Sequence, residues 1–152
     1  MIPDRLLAKP FHRELVEELL ALDTPEDRLS WLMERSPLHN PLLPEDLLEE
    51  RKVPGCLSGL WLKTEVVGST CFFSAYSESD LVHGVVSFLC DLYSDRDCAE
   101  VIEIGDLLAT ALRLEGLLST NRKRAVVSTL SFFQHTARSH SSAIETAALI
   151  GT

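Results

Sequence analysis

The sequence predicts an α+β domain, with helices first, then a small antiparallel sheet, then more helices collected on one face of that sheet. Three observations carry the prediction. Apolar residues recur at helical spacing between Leu15 and Leu22 and again between Leu81 and Leu92. Two strand-like runs, "LSGLWLKTEVV" and "TCFFSAYS", are joined through Gly68 and Ser69. A stretch with four prolines, "SPLHNPLLPEDLLEERKVPG", separates the first helices from these strands.

Taken in order, "FHRELVEELLAL" sets Leu15, Val16, Leu19, Leu20 and Leu22 against Arg13, Glu14, Glu17 and Glu18. "DTPEDRLSWLMER" opens a second helix, with Thr24 as N-cap, Pro25 at the first helical position and acids in the first turn. Leu29, Leu32 and Met33 supply its inward face. The proline-rich stretch reads as an extended connector with at most one helical turn around 44–50. After the strands, where Trp61 reads as a core anchor, Ser77 and Asp80 are spaced as a capping box for the Leu81–Leu92 helix. A helical pair follows over 97–115. Asn121 reads as the cap of a last helix through Arg138, and 139–152 reads as frayed helix or disorder.

The 152 residues read as one domain, 1–152, and a 45% hydrophobic, 24% charged composition is that of a globular chain. A net charge of -9 repels phosphate backbones, which argues against nucleic acid and is compatible with docking onto a more basic protein. No apolar run is long enough to cross a bilayer, and "MIPDRLLAKPFHREL" lacks a signal-peptide core, so no membrane partner and a cytoplasmic location are expected. Thiols stay reduced there.

Local motifs for chemistry are few. The histidines (His12, His39, His83, His135, His140) read as scattered and solvated, with no metal-ligand spacing, and no phosphate-binding glycine loop is present. The acid pairs Glu17–Glu18, Glu45–Asp46 and Glu49–Glu50 read as solvated faces. Cys56, Cys71, Cys90 and Cys98 form no C-x-x-C pair. Cys71 and Cys90 sit in apolar runs as small hydrophobes, and Cys98 reads as a surface residue at a helix start. Cys56 differs, because Pro54, Gly55 and Gly59 bend the chain around it. On context alone it is a free cysteine at a strand edge or a reactive thiol. Arg51 and Lys52 would favour the thiolate if they folded back toward it.

The stretch "VPGCLSGLWL" resembles the G-C-x-S-x-V-W signature of the SufE/CsdE family of sulfur-acceptor proteins, matching at Gly55, Cys56, Ser58 and Trp61, with Leu60 for the valine. "RLSWLMERSPLHNPLLPEDLLEER" is similar to the family's helix and "LPPLPEE" approach. "FFSAYSESDLVHGVVSFLCDLYS" is similar to its "F-x-A-x-S-D-x-x-I-V-x-G" segment, with Gly84 in the glycine position. "LEGLLSTNRKRAV" is similar to "L-G-L-x-x-x-L-S-P-S-R-x-x-G", which puts Arg122 on the family's arginine. The likeness covers roughly residues 12 to 138.

The resemblance implies a SufE/IscU-like fold and an accessory protein that is not itself an enzyme. Such a protein takes sulfane sulfur from the persulfide of a pyridoxal-phosphate cysteine desulfurase (SufS/CsdA type) and stimulates it. It passes the sulfur to an iron–sulfur scaffold (SufB type) or another recipient. Cys56 is then the acceptor, Arg122 stabilises its thiolate or meets an acid on the partner, and Gly55, Ser58 and Gly59 support the loop. No resident cofactor or metal is implied. Leu57 and Gly59 stand where the family is often polar, Glu78 replaces Asp, Thr120 and Asn121 replace Pro and Ser, and Ala125 replaces a glycine. The loop substitutions bear on partner choice. Two other readings stay open: a regulatory partner that transfers no sulfur, and an IscU/SufU-type scaffold, which needs three cysteines converging with an aspartate or histidine.

Overall fold

The computed structural model describes residues 2–56 and 58–150, with side chains through residue 141. A short 3-10 turn at Asp4–Leu7 buries Leu6 and Leu7 ahead of α1 (Pro10–Leu20). In α2 (Pro25–Glu34) the Thr24 hydroxyl accepts from the Asp27 N–H at 3.1 Å, the cap expected from its sequence. Strands β1 (Leu60–Val67) and β2 (Thr70–Ser77) form an antiparallel hairpin in register from Leu60↔Ser77 to Val67↔Thr70. Gly68 takes a positive φ of 64° in the turn, which glycine adopts without steric cost. After α3 (Asp80–Tyr93) comes β3 (Arg96–Asp97), a strand absent from the sequence reading, because two residues carry no periodicity. Then follow α4 (Cys98–Ile104), α5 (Leu107–Ala111) and α6 (Thr120–Ile150).

The sheet order is β1-β2-β3. Leu60, Leu62, Phe73 and Ala75 are buried on the face that meets α3 and α6. The Phe133 ring of α6 lies 4.2 Å from Phe73 and 4.9 Å from Tyr93, centroid to centroid, so one aromatic stack joins sheet, α3 and α6. Helices α2 and α3 cross at Gly84, where an added Cβ would stand 2.5 Å from the Leu32 carbonyl oxygen. Buried Asp91 accepts from the N–H groups of Leu38 and His39 (both 2.9 Å), from His39 Nδ1 (2.7 Å) and from Arg35. It thereby ties the start of the connector to α3. Burial opposes its ionisation, but these donors outweigh it and hold the Asp91 carboxyl below the usual range.

Several expectations change. The connector carries two short turns, Pro44–Asp46 and Glu49–Arg51, not one. The N-cap of α3 is Ser79, whose hydroxyl accepts from Val82 N–H at 3.3 Å; Ser77 is held in β2 opposite Leu60 and accepts from Ser79 N–H instead. Asn121 lies inside α6, which starts at Thr120 and continues through the segment expected to fray. Trp61 stands on the opposite sheet face from Leu60 and Leu62, beside its cross-strand partner Tyr76, and is not a core residue.

Candidate functional site

The loop carrying Cys56 is pinned at its base. Val53 N–H donates to the Leu60 carbonyl at 2.8 Å, and Glu78 N–H donates to Gly59 at 3.1 Å. Between these points Pro54 and Gly55 turn the chain, and Gly55 has a φ of 82° that a side chain would strain. Gly59 serves the loop by lacking a side chain. An added Cβ would lie 2.6 Å from the Trp61 ring and closer still to the Glu78 carboxylate, so glycine lets both side chains close over the loop. Leu57 lies outside the described residues.

Cys56 is half-buried against the edge of the core. It lines a cavity of about 270 Å³ with Ser58, Val82, Ser119, Asn121, Arg122 and Ala125. The structure thus brings Cys56, Ser58 and Arg122 to one cavity, at the point where Ser119 O receives the N–H groups of Arg122 and Lys123 at the head of α6.

Burial pushes the Cys56 thiol above its ordinary value of 9.0, and the charge of Arg124 offsets part of that. Arg124 is the residue that sequence reasoning missed; its signal was the run Arg122-Lys123-Arg124 just after the helix start. Three cations there oppose the positive end of the helix dipole, so the arrangement costs helix stability while concentrating positive potential beside a thiol. Arg51 and Lys52 do not fold back toward Cys56. Arg51 bonds Asp46, and the Lys52 ammonium sits 5.3 Å from the Trp61 ring centre.

The other thiols are enclosed. Cys98 is buried rather than on the surface, with its sulfur 3.1 Å from that of Cys71. Burial, with the Cys98 contact second, pushes Cys71 up to about 12, and burial also raises Cys90. His12 and His39 are likewise not solvated: His12 Nε2 meets the Ser94 carbonyl at 2.9 Å, and His39 is held by Asp91. Among the described residues no three His, Cys, Asp or Glu side chains are placed to hold a metal ion, and no helix is long and apolar enough to cross a membrane.

Fold and site together define a small α+β protein that presents one accessible cysteine on a pinned bend beside a basic helix head. Residues 13–137 match the family described as "SufE: Fe-S metabolism associated domain", and the chain belongs to the SufE family. It is 32% identical over 114 residues to the quinolinate synthase of Arabidopsis thaliana chloroplasts, covering 74% of this chain but 16% of that protein. It is 28% identical over 92 residues to an uncharacterized SufE-like protein of Rhizobium etli, covering 58% of this chain and 62% of the relative. The chain therefore matches less than two-thirds of the length of these relatives. A solution structure of a hypothetical protein from Thermus thermophilus superposes with a TM-score of 0.67 at 18% identity, over 93% of this chain and 99% of that one, and shares the fold.

Proposed function

We propose that this protein is a sulfur carrier for iron–sulfur metabolism that accepts sulfane sulfur on Cys56 from a cysteine desulfurase, stimulates that enzyme, and delivers the sulfur to a cluster scaffold or another recipient. The observation that supports it most is Cys56 itself, the one cysteine of four outside the core, seated in a cavity walled by the head of α6. In the transfer, the Cys56 thiolate attacks the outer sulfur of the donor's persulfide. The S–S bond breaks, the donor cysteine leaves as thiolate, and Cys56 becomes the persulfide, with no net oxidation. At rest the thiol is protonated and half-covered, so attack awaits a partner that draws the loop out. The Arg122–Arg124 head then offers positive charge to the thiolate or to an acid on the partner. The reading places the protein in a reducing, cytoplasmic setting.

The test is mass spectrometry after incubation with cysteine and a desulfurase. Added sulfur on Cys56, absent from Cys56→Ser together with loss of desulfurase stimulation, is the expected result. A Cys56→Ser protein that stimulates the desulfurase fully refutes transfer. The scaffold reading finds no support, since Cys71, Cys90 and Cys98 are core residues that do not converge with Cys56.

A further inference from the structure

Two thiols that sulfur transfer does not use lie against each other. Cys71 stands near the start of β2 and Cys98 opens α4, 27 residues later, with their sulfurs 3.1 Å apart. A disulfide bond spans about 2.05 Å, so the pair is about 1 Å from bonding distance. The surrounding backbone holds it there. Thr70 and Cys71 pair with Asp97 and Arg96 across the ladder. Asp95 N–H donates to the Cys71 carbonyl at 2.8 Å, and Cys98 N–H donates to the Ser69 carbonyl at 2.9 Å. The Ser94 hydroxyl accepts from Phe73 N–H at 2.9 Å. These bonds clamp the β3–α4 corner onto β2, so closing the last gap falls to the two side chains.

The pair is also set apart from the acceptor thiol. Cys71 lies opposite Val66 beside the hairpin turn, whereas the Cys56 loop joins β1 at Leu60, about 20 Å away along the strand. Both partners are enclosed, Cys71 wholly and Cys98 at 3% exposed. Burial, with the neighbouring sulfur second, keeps Cys71 a thiol at neutral pH. Oxidation here is therefore slow and passes through local opening of β3, a strand of two residues. A small uncharged oxidant is the reagent such an opening admits, and hydrogen peroxide meets that description.

We propose that Cys71 and Cys98 are a site of reversible oxidation by hydrogen peroxide, forming a disulfide that staples β2 to the head of α4. One sulfur, as thiolate, attacks the peroxide. The O–O bond breaks, hydroxide leaves and takes up a proton, and a sulfenic acid remains. The other sulfur then displaces the sulfenic oxygen. The S–S bond forms, and the departing hydroxide with the second thiol proton makes another water. Two thiols and one peroxide give one disulfide and two waters, and a dithiol reductant reverses the change. In a reducing setting the pair rests open. The site is independent of sulfur transfer and stands whether or not Cys56 accepts sulfur.

Peptide mapping without reduction tests it. The whole chain is treated with hydrogen peroxide, unfolded, and its remaining thiols are blocked with an alkylating agent. The expected product is a linked pair of peptides carrying Cys71 and Cys98, two hydrogens lighter than the free peptides and separated by dithiothreitol. The cross-link closes a long loop in the unfolded chain, so the melting temperature of the oxidised protein rises by roughly 5–15 °C. The same rise is expected in Cys56→Ser, which excludes oxidation of the accessible thiol as its source. In Cys98→Ala peroxide raises the melting temperature no further and Cys71 remains open to alkylation. If that variant does not fold, the map of the wild type decides alone. Cys71 and Cys98 both alkylated after peroxide, or both carried on to sulfinic acids without linking, overturn the proposal. A linked protein that melts no higher than the reduced one overturns the staple.

Discussion

The resting state of Cys56 gives a quantitative expectation for its reactivity. Burial holds its pKa above 9.0 despite Arg124. A thiol with a pKa above 9 is less than about 1% thiolate at pH 7, and only the thiolate is alkylated. The rate constant for iodoacetamide with the native protein is therefore expected to rise about tenfold per pH unit from 6 to 8, below that of a free cysteine peptide throughout. Removing the offsetting charge with Arg124→Ala lowers the rate further, while Lys52→Ala, whose ammonium is engaged with Trp61, leaves it unchanged. Peptide mapping must show the label on Cys56, since the other three thiols are buried. A rate that is flat between pH 6 and 8 would falsify this reasoning, for it would mean a preformed thiolate that needs no partner to expose it. Faster labelling in the presence of a desulfurase would show the partner supplying what the resting loop withholds.

Two further outcomes follow from the packing. Gly84→Ala forces a Cβ to 2.5 Å from the Leu32 carbonyl, 0.9 Å inside the 3.4 Å at which ordinary contact begins. The obstructing Leu32 and Met33 atoms are backbone, so overpacking falls in the upper part of its usual range, about 2–3 kcal/mol, and the helix propensity of alanine returns about 1 kcal/mol; the net loss of about 1–2 kcal/mol lowers the melting temperature by roughly 2–8 °C, and an unchanged or raised value contradicts the close crossing of α2 and α3. His12 is lowered from 6.5 to about 4, by burial first and Arg96 second, so the folded protein holds it neutral. Between pH 6.5 and 4 the unfolded chain binds the proton and the folded one does not, and stability drops by roughly 3 kcal/mol across that window. Denaturant titrations of the wild type and His12→Gln at pH 7 and 4.5 check this. The variant loses less stability on acidification, and equal losses would exclude His12 as a source.

The features legible in the sequence are those whose causes are local. Thr24 caps α2 because its hydroxyl needs only the N–H three residues on, and the β1–β2 hairpin follows from alternation around Gly68 and Ser69. The bend at Cys56 follows from Pro54 and Gly55, neighbours in the chain. Arg122 could be placed near Cys56 by resemblance, since a motif keeps its order along the chain. Other features depend on groups far apart in sequence that meet only on folding. Packing alone decided that Cys98 is enclosed against Cys71, that His12 lies under Ser94, that Trp61 closes over Gly59, and that Arg51 and Lys52 are engaged elsewhere while Arg124 acts on the thiol. Burial and charge proximity set the state of a thiol, and both are properties of the assembled core rather than of any short stretch. The sequence by itself therefore determined which cysteine stands on the bend. The tertiary structure decided that it waits there protonated, half-covered and beside the head of α6.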